Sequence, residues 1–131
     1  MSRRVFISYN YADKELVHQI KDFFQPEGWL CQGKAVSVIP PVGSLTEDEI
    51  DHLVQDTIRS SDIVLFVIGD SSHNRPWIDR EVELAQSLGR PRGAVQLPDT
   101  RGGMPQGLVK ERITPLQWNQ RELCTALNKF L

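Results

Sequence analysis

One carboxylate in this sequence sits where carboxylates are costly. The run Pro76-Trp77-Ile78-Asp79-Arg80-Glu81-Val82-Glu83-Leu84-Ala85 reads as the opening of a helix. Each helical residue advances by about 100°, so Ile78, Val82, Leu84, Ala85 and Leu88 define an apolar arc with Glu81 near its middle. Asp79, Arg80 and Glu83 fall outside that arc, together with Gln86 and Ser87. A carboxylate turned toward a core must be paired, hydrogen-bonded or set beside a cleft. Two readings are open. Glu81 closes a structural network with Arg75, Arg80 or a backbone group, or it stands at the lip of a pocket and acts on what enters it.

Competing chemistries find less support. No phosphate-binding P-loop run is present, and no glycine-rich dinucleotide fingerprint follows the first apolar run, which argues against ordinary NTPase and dehydrogenase sites. His18, His52 and His73 form no metal constellation; His18 and His52 are expected on helix surfaces. Ser71-Ser72 lacks the context of a nucleophile elbow. Cys31 and Cys124 are far apart in sequence, with neither metal-ligand nor redox spacing, and are expected to be reduced, buried small side chains.

The elements that must hold Glu81 in place are legible as alternating strand and helix patterns. Val5-Phe6-Ile7 is a first buried strand, ending at Ser8-Tyr9-Asn10. Asp13 is placed to cap a helix whose face carries Leu16, Val17, Ile20, Phe23 and Phe24, stopped by Pro26 and Gly28. Ala35 to Ile39 reads as a second short strand and Pro40 to Leu45 as a stiff loop. Thr46 and Glu49 have the spacing of a capping box for a helix with an apolar stripe of Ile50, Leu53, Val54, Thr57 and Ile58. Ile63 to Ile68 is six consecutive apolar residues, the signature of a central parallel strand. Pro76 suits the first turn of the Glu81 helix.

Beyond Gly89, Ala94 to Leu97 reads as a fourth strand, Pro98 to Gly107 as a turn-rich, mobile stretch, Ile113 to Trp118 as a fifth strand or extended edge, and Glu122 to Leu131 as a final helix. The order predicts an α/β fold, a flavodoxin-like open three-layer sandwich with a mainly parallel sheet of about five strands, in one domain over residues 1–131. Its ligand site should lie beyond the carboxyl ends of the strands. The loops Ser8 to Ala12, Pro40 to Leu45 and Gly69 to Trp77 would reach that edge, with Glu81 close by.

The chain of 131 residues carries 40% hydrophobic and 24% charged residues and a formal charge of −2. That composition fits a folded globular protein and gives no support to broad electrostatic binding of nucleic acid. Met-Ser-Arg-Arg precedes an apolar run too short for a secretory signal or membrane span, so a cytoplasmic, membrane-free location is expected.

Three stretches resemble the Toll/interleukin-1 receptor (TIR) domains, and in particular the bacterial TIR-like proteins of Thoeris anti-phage systems. They are Val5-Phe6-Ile7-Ser8-Tyr9 followed by Asp13, then Ser61-Asp62-Ile63-Val64-Leu65-Phe66-Val67-Ile68, and Ser72 through Trp77 to Glu81, with tryptophan four residues before glutamate. In enzymatic members the equivalent glutamate is central to cleaving the nicotinamide-ribose bond of NAD, followed by hydrolysis, cyclisation or transfer of ADP-ribose to make a nucleotide signal. The resemblance implies that Glu81 is that glutamate and that NAD is a substrate, with no further cofactor required. Phe6, Ser8, Tyr9, Asn10, His73 and Trp77 are then candidates for binding the nucleotide. Each has a plainer reading: Phe6 and Trp77 as packing, Ser8 and Asn10 as satisfiers of turn backbone groups, His73 as an exposed loop residue.

The resemblance also implies a second class of function, an assembly module that self-associates or binds a related TIR-like domain through the Pro40 to Asp48 loop, with Val42 and Leu45 at its tip. A third is a nucleotide sensor that binds a signal without cleaving it. If the chain is an enzyme, it is expected to be an NAD glycohydrolase or an ADP-ribose cyclase or transferase, acting on a downstream effector through its product.

Overall fold

The computed structural model describes residues 3–9, 13–25, 28–35, 47–70 and 76–129. Strands β1 (Arg3–Tyr9), β2 (Trp29–Ala35), β3 (Ile63–Ile68) and β4 (Arg92–Gln96) form one parallel sheet in the order β2-β1-β3-β4. The helices are α1 (Lys14–His18), α2 (Ile20–Phe24), α3 (Glu47–Arg59), α4 (Pro76–Ser87), α5 (Gln106–Lys110) and α6 (Gln120–Asn128). The predicted α/β class therefore holds, with helices on both faces of the sheet.

Strand alternation divides the interior into two cores. Val5, Ile7 and Tyr9 of β1 and Ile63, Leu65 and Val67 of β3 pack with Val17, Ile20 and Phe24 of α1 and α2 and Leu123 and Leu127 of α6. On the other face, Phe6, Val64, Phe66 and Ile68 pack with Val54 and Ile58 of α3, Ile78, Val82 and Ala85 of α4, and Leu108 of α5. All six residues of β3 are buried, which is why its sequence is an unbroken apolar run.

Several expectations need correction. The second strand spans Trp29–Ala35, earlier than the Ala35 to Ile39 expected, and residues 36–39 lie outside the described residues. It pairs with β1 residue by residue from Arg3↔Trp29 to Tyr9↔Ala35. Its start is fixed by packing: the Trp29 ring lies 5.8 Å from that of Phe24, and the Arg3 guanidinium sits 5.2 Å over it. Among the described residues the sheet has four parallel strands, in keeping with the expected sheet of about five, and the Ile113 to Trp118 stretch adds a single bridge at the β4 edge. Pro115 has no N–H to give a ladder, and only Leu116 bonds to β4, donating to Ala94 O at 2.8 Å and accepting from Gln96 N at 2.9 Å.

The first helix breaks at Gln19 into two short segments, and Asp13 makes no side-chain capping hydrogen bond. Leu16 and Leu53, assigned to buried stripes, are exposed, and Cys31 is only half-buried. The turn-rich Pro98–Gly107 region runs into α5, which seats Leu108 in the core. The last helix starts at Gln120 and ends at Asn128; Asn119 caps it by accepting from Glu122 N at 3.1 Å. The capping box at Thr46 and the loop carrying Val42 and Leu45 lie outside the described residues.

Two polar ties clamp the α4 side. Arg80 is bidentate to Asp51 of α3, with both contacts at 3.0 Å. Arg92 of β4 grips Glu111 through Nε at 2.8 and 2.9 Å and through a terminal nitrogen at 2.5 Å, while Gln86 of α4 donates to the same carboxylate at 2.8 Å. Burial pushes the Glu111 carboxyl up, but the hydrogen bonds from Arg92 and Gln86 and the Arg92 charge outweigh it and hold it below its ordinary value. A depressed carboxyl contributes stability above its unfolded value and loses it as pH falls through the folded one. Glu111→Gln should therefore lower Tm at pH 7, by the equivalent of roughly 1–2 kcal/mol for a bidentate, partly shielded pair. The difference from wild type should shrink as pH drops below about 4.5. A pH series of thermal melts checks this, and a difference that stays constant down to acid pH would contradict it.

Candidate active site

The site is set by topology. The chain leaves β1 through α1 and α2 to reach β2 on one side, then returns through α3 to β3 on the other side of β1. Connections therefore part between β1 and β3, and open α/β sheets hold their ligands at such a point, beyond the carboxyl ends of the strands. Ser8, near the end of β1, lies opposite Phe66 of β3 and on the same side of the sheet as Phe6. That side is the one α4 covers, and α4 packs directly against β1.

Glu81 projects from the buried face of α4 and is 1% exposed. Its angular position among Ile78, Val82 and Ala85 is the one read from the sequence. Asp79 and Glu83 are exposed, as expected. Arg80, one of the predicted structural partners of Glu81, instead turns to Asp51 and, at 3.4 Å, to Glu83. Arg75 lies outside the described residues.

Ser8 is fully buried, and its Oγ has no hydrogen-bond partner among the described residues. A buried hydroxyl left in this state costs roughly 1–3 kcal/mol. Ser8→Ala should then raise Tm of the protein by a few degrees. A lower Tm would show that the hydroxyl is already satisfied.

Not every candidate gathers here. Phe6 is wholly buried in the α4-side core. Tyr9 lies on the opposite face of the sheet, where it lines a cavity of about 100 Å³ with Ile7, Val17, His18 and Ile20. The backbone of Trp77 is in the first turn of α4; its side chain, and all of Asn10 and His73, lie outside the described residues.

The loops at the carboxyl ends of the strands are joined by close approaches that no periodicity signals. A Cβ on Gly69, just past β3, would lie 2.3 Å from Asp13 Oδ2, so the Asp13 carboxylate packs against that glycine rather than capping α1. A Cβ on Gly102 would lie 1.6 Å from Gly69 O. Arg101 N donates to Asp70 Oδ1 at 2.9 Å, and Gln96 donates to Thr100 Oγ1 at 2.6 Å and to Ile68 O at 3.2 Å. The segments following β1, β3 and β4 are thereby locked together. Among the described residues, no group of three or more His, Cys, Asp or Glu could hold a metal ion.

A parallel sheet flanked by helices on both faces defines the open α/β class of fold. The TIR domain family profile matches residues 5–120, and the chain belongs to that family. Among curated proteins, no sequence matches it. Solved structures that share its fold include the following three. The heterodimer of the RPS4 and RRS1 TIR domains has a TM-score of 0.67 at 11% identity, covering 99% of this chain and 98% of that one. A 2-deoxyribosyltransferase of Bacillus psychrosaccharolyticus has a TM-score of 0.62 at 12% identity, covering 92% and 89%. The CMP N-glycosidase BcmB of Clostridium botulinum has a TM-score of 0.58 at 16% identity, covering 98% and 100%. Among the described residues, no helix is long and apolar enough to cross a membrane.

Proposed function

We propose that this TIR domain cleaves the nicotinamide-ribose bond of NAD, with Glu81 as the catalytic residue. The observation that carries the reading is the burial of Glu81 on the sheet-facing side of α4, in the same layer as the unsatisfied Ser8 hydroxyl. Two of the structural neighbours are named for reactions at N-glycosidic bonds, an N-glycosidase and a deoxyribosyltransferase, which is consistent with the fold accommodating this bond class.

The C1′–N bond of NAD breaks with its electron pair moving to the ring nitrogen. The positively charged nicotinamide therefore departs neutral and needs no acid. The charge left on the ribose has oxocarbenium character, and an ionised Glu81 buried on α4 stabilises it or holds a ribose hydroxyl. A second carboxylate of the usual glycosidase pair is not required. Water adding to C1′ and losing a proton gives ADP-ribose; a nucleophilic nitrogen or hydroxyl in its place gives a cyclic or transferred product.

In the fuller form of this proposal, the product is a nucleotide signal in an anti-phage system of the Thoeris type. The chain works in the cytoplasm, and self-association supports its activity. Purified protein at low and high concentration, incubated with NAD and resolved by mass spectrometry, tests the reading. Nicotinamide release by wild type and not by Glu81→Gln is expected, with the accompanying product separating hydrolysis from cyclisation or transfer. Release that survives the substitution removes Glu81 from the mechanism. No release at either concentration favours the second reading, an assembly module, for which the heterodimer of TIR domains among the structural neighbours is the supporting observation.

A further inference from the structure

A cavity of about 410 Å³ opens at the amino-terminal half of β4, away from the strand ends that flank Glu81. Its lining is mostly apolar, with Gly93, Ala94, Leu116 and Ala126 forming a floor for a flat group, and it includes two exposed cations, Arg112 and Lys129. Arg92 also reaches it, but the Arg92 charge is matched by Glu111. The two remaining cations face an apolar chamber of a size that suits a small organic ligand. The strand edge adds a backbone donor: Leu97 N bonds toward β3 and Gln96 N bonds outward to Leu116, so alternation turns the Ala94 N–H to the cavity side.

The backbone of Arg112 is unusual. Helix α5 ends in a Schellman arrangement, with Ile113 N donating to Leu108 O at 3.1 Å and Arg112 N to Val109 O at 2.9 Å. The residue after the cap in that motif is left-handed and is ordinarily glycine; here Arg112 occupies it with φ of 59°. An arginine where the backbone favours glycine keeps a guanidinium at the cavity wall at the cost of local strain.

We propose that this cavity is a binding site for a small organic phosphate with a flat, weakly polar body, a nucleoside monophosphate in its simplest form. Arg112 and Lys129 take the phosphate, and the base lies over the floor formed by Ala94 and Leu116. The site does not depend on the chemistry assigned to Glu81.

Adenosine 5′-monophosphate, titrated into isotopically labelled full-length protein and followed by amide NMR, tests it. Shifts centred on Ala94, Thr114 and Leu116 are expected, with inorganic phosphate and adenosine each binding more weakly than the nucleotide. Arg112→Gly should weaken binding by about tenfold or more, the loss of a charge-assisted contact, while Tm stays level or rises because the left-handed residue is now glycine. Lys129→Gln, which leaves that backbone alone, should weaken binding comparably. The proposal is overturned if the shifts centre on Ser8 and Gly69, if both variants bind like wild type, or if inorganic phosphate binds as tightly as the nucleotide, which would mark an adventitious anion only.

Discussion

Glu81→Gln should leave a folded protein that no longer releases nicotinamide. Glutamine keeps the size and shape of the side chain, so Ile78, Val82 and Ala85, which pack α4 against the sheet, have no reason to move. What changes is charge. In the proposed reaction positive charge develops at the ribose carbon only in the transition state, and a fixed negative group buried on α4 stabilises it without first reorganising solvent. Removing one such preorganised group typically costs a factor of about 100–1000 in kcat, so activity at or below one per cent of wild type is expected. Binding of intact NAD should weaken far less, since the ground-state ribose carries no such charge. The paired controls are Asp79→Asn and Glu83→Gln. Both remove a carboxylate from the same helix, but both residues are exposed, so turnover should stay within a factor of about two. Equal losses in all three variants would point to a general electrostatic effect and sink the specific role of Glu81.

The angular argument that singled out Glu81 worked because a helix and its buried face obey one periodicity, and a charged residue inside that face is visible in sequence. β1 and β3 were legible for a related reason: strands covered on both sides must be apolar throughout, and six consecutive buried residues leave a continuous mark. β2 left none. It is an edge strand with Leu30 half exposed, and its place is determined by pairing with β1 and by Trp29 docking on Phe24, not by its own pattern. The run rich in β-branched residues after Ala35 was the stronger local signal, and it lies outside the described residues. α5 is similarly silent, because five residues burying Leu108 alone cannot establish a period. Its position follows from Gly107, where a Cβ would come within 2.6 Å of Val82 Cγ1. Ser8 was visible as a polar residue ending an apolar strand, whereas its unsatisfied state depends on neighbours from three other segments. The glycine contacts between the loops were invisible, since a close approach of two backbones leaves no repeat to read.

Gly102→Ala should be among the most destabilising single-methyl additions in this chain. The new Cβ would lie 1.6 Å from Gly69 O, 2.7 Å from Gly69 C and 2.9 Å from Asp70 C. All three are backbone atoms, so no rotamer change relieves the overlap. Gly69 cannot simply retreat, because the Asp13 carboxylate already lies close to its Cα, within 2.3 Å of where a Cβ would be. The loop after β4 must therefore swing away, straining the Arg101–Asp70 and Gln96–Thr100 hydrogen bonds. Overpacking of this kind costs about 1–3 kcal/mol, and with the strained hydrogen bonds Tm should fall by roughly 5–15 °C. Gly89→Ala is the informative comparison. Gly89 is left-handed, with φ of 68°, but an added methyl there would meet no atom within 4 Å, so its cost is backbone strain alone, about 1 kcal/mol. If Gly102→Ala melts like wild type, the loops after β3 and β4 are not in contact as described. If it melts early and also loses NAD turnover below its own Tm, the contact between Gly69 and Gly102 shapes the candidate site as well as stabilising the fold.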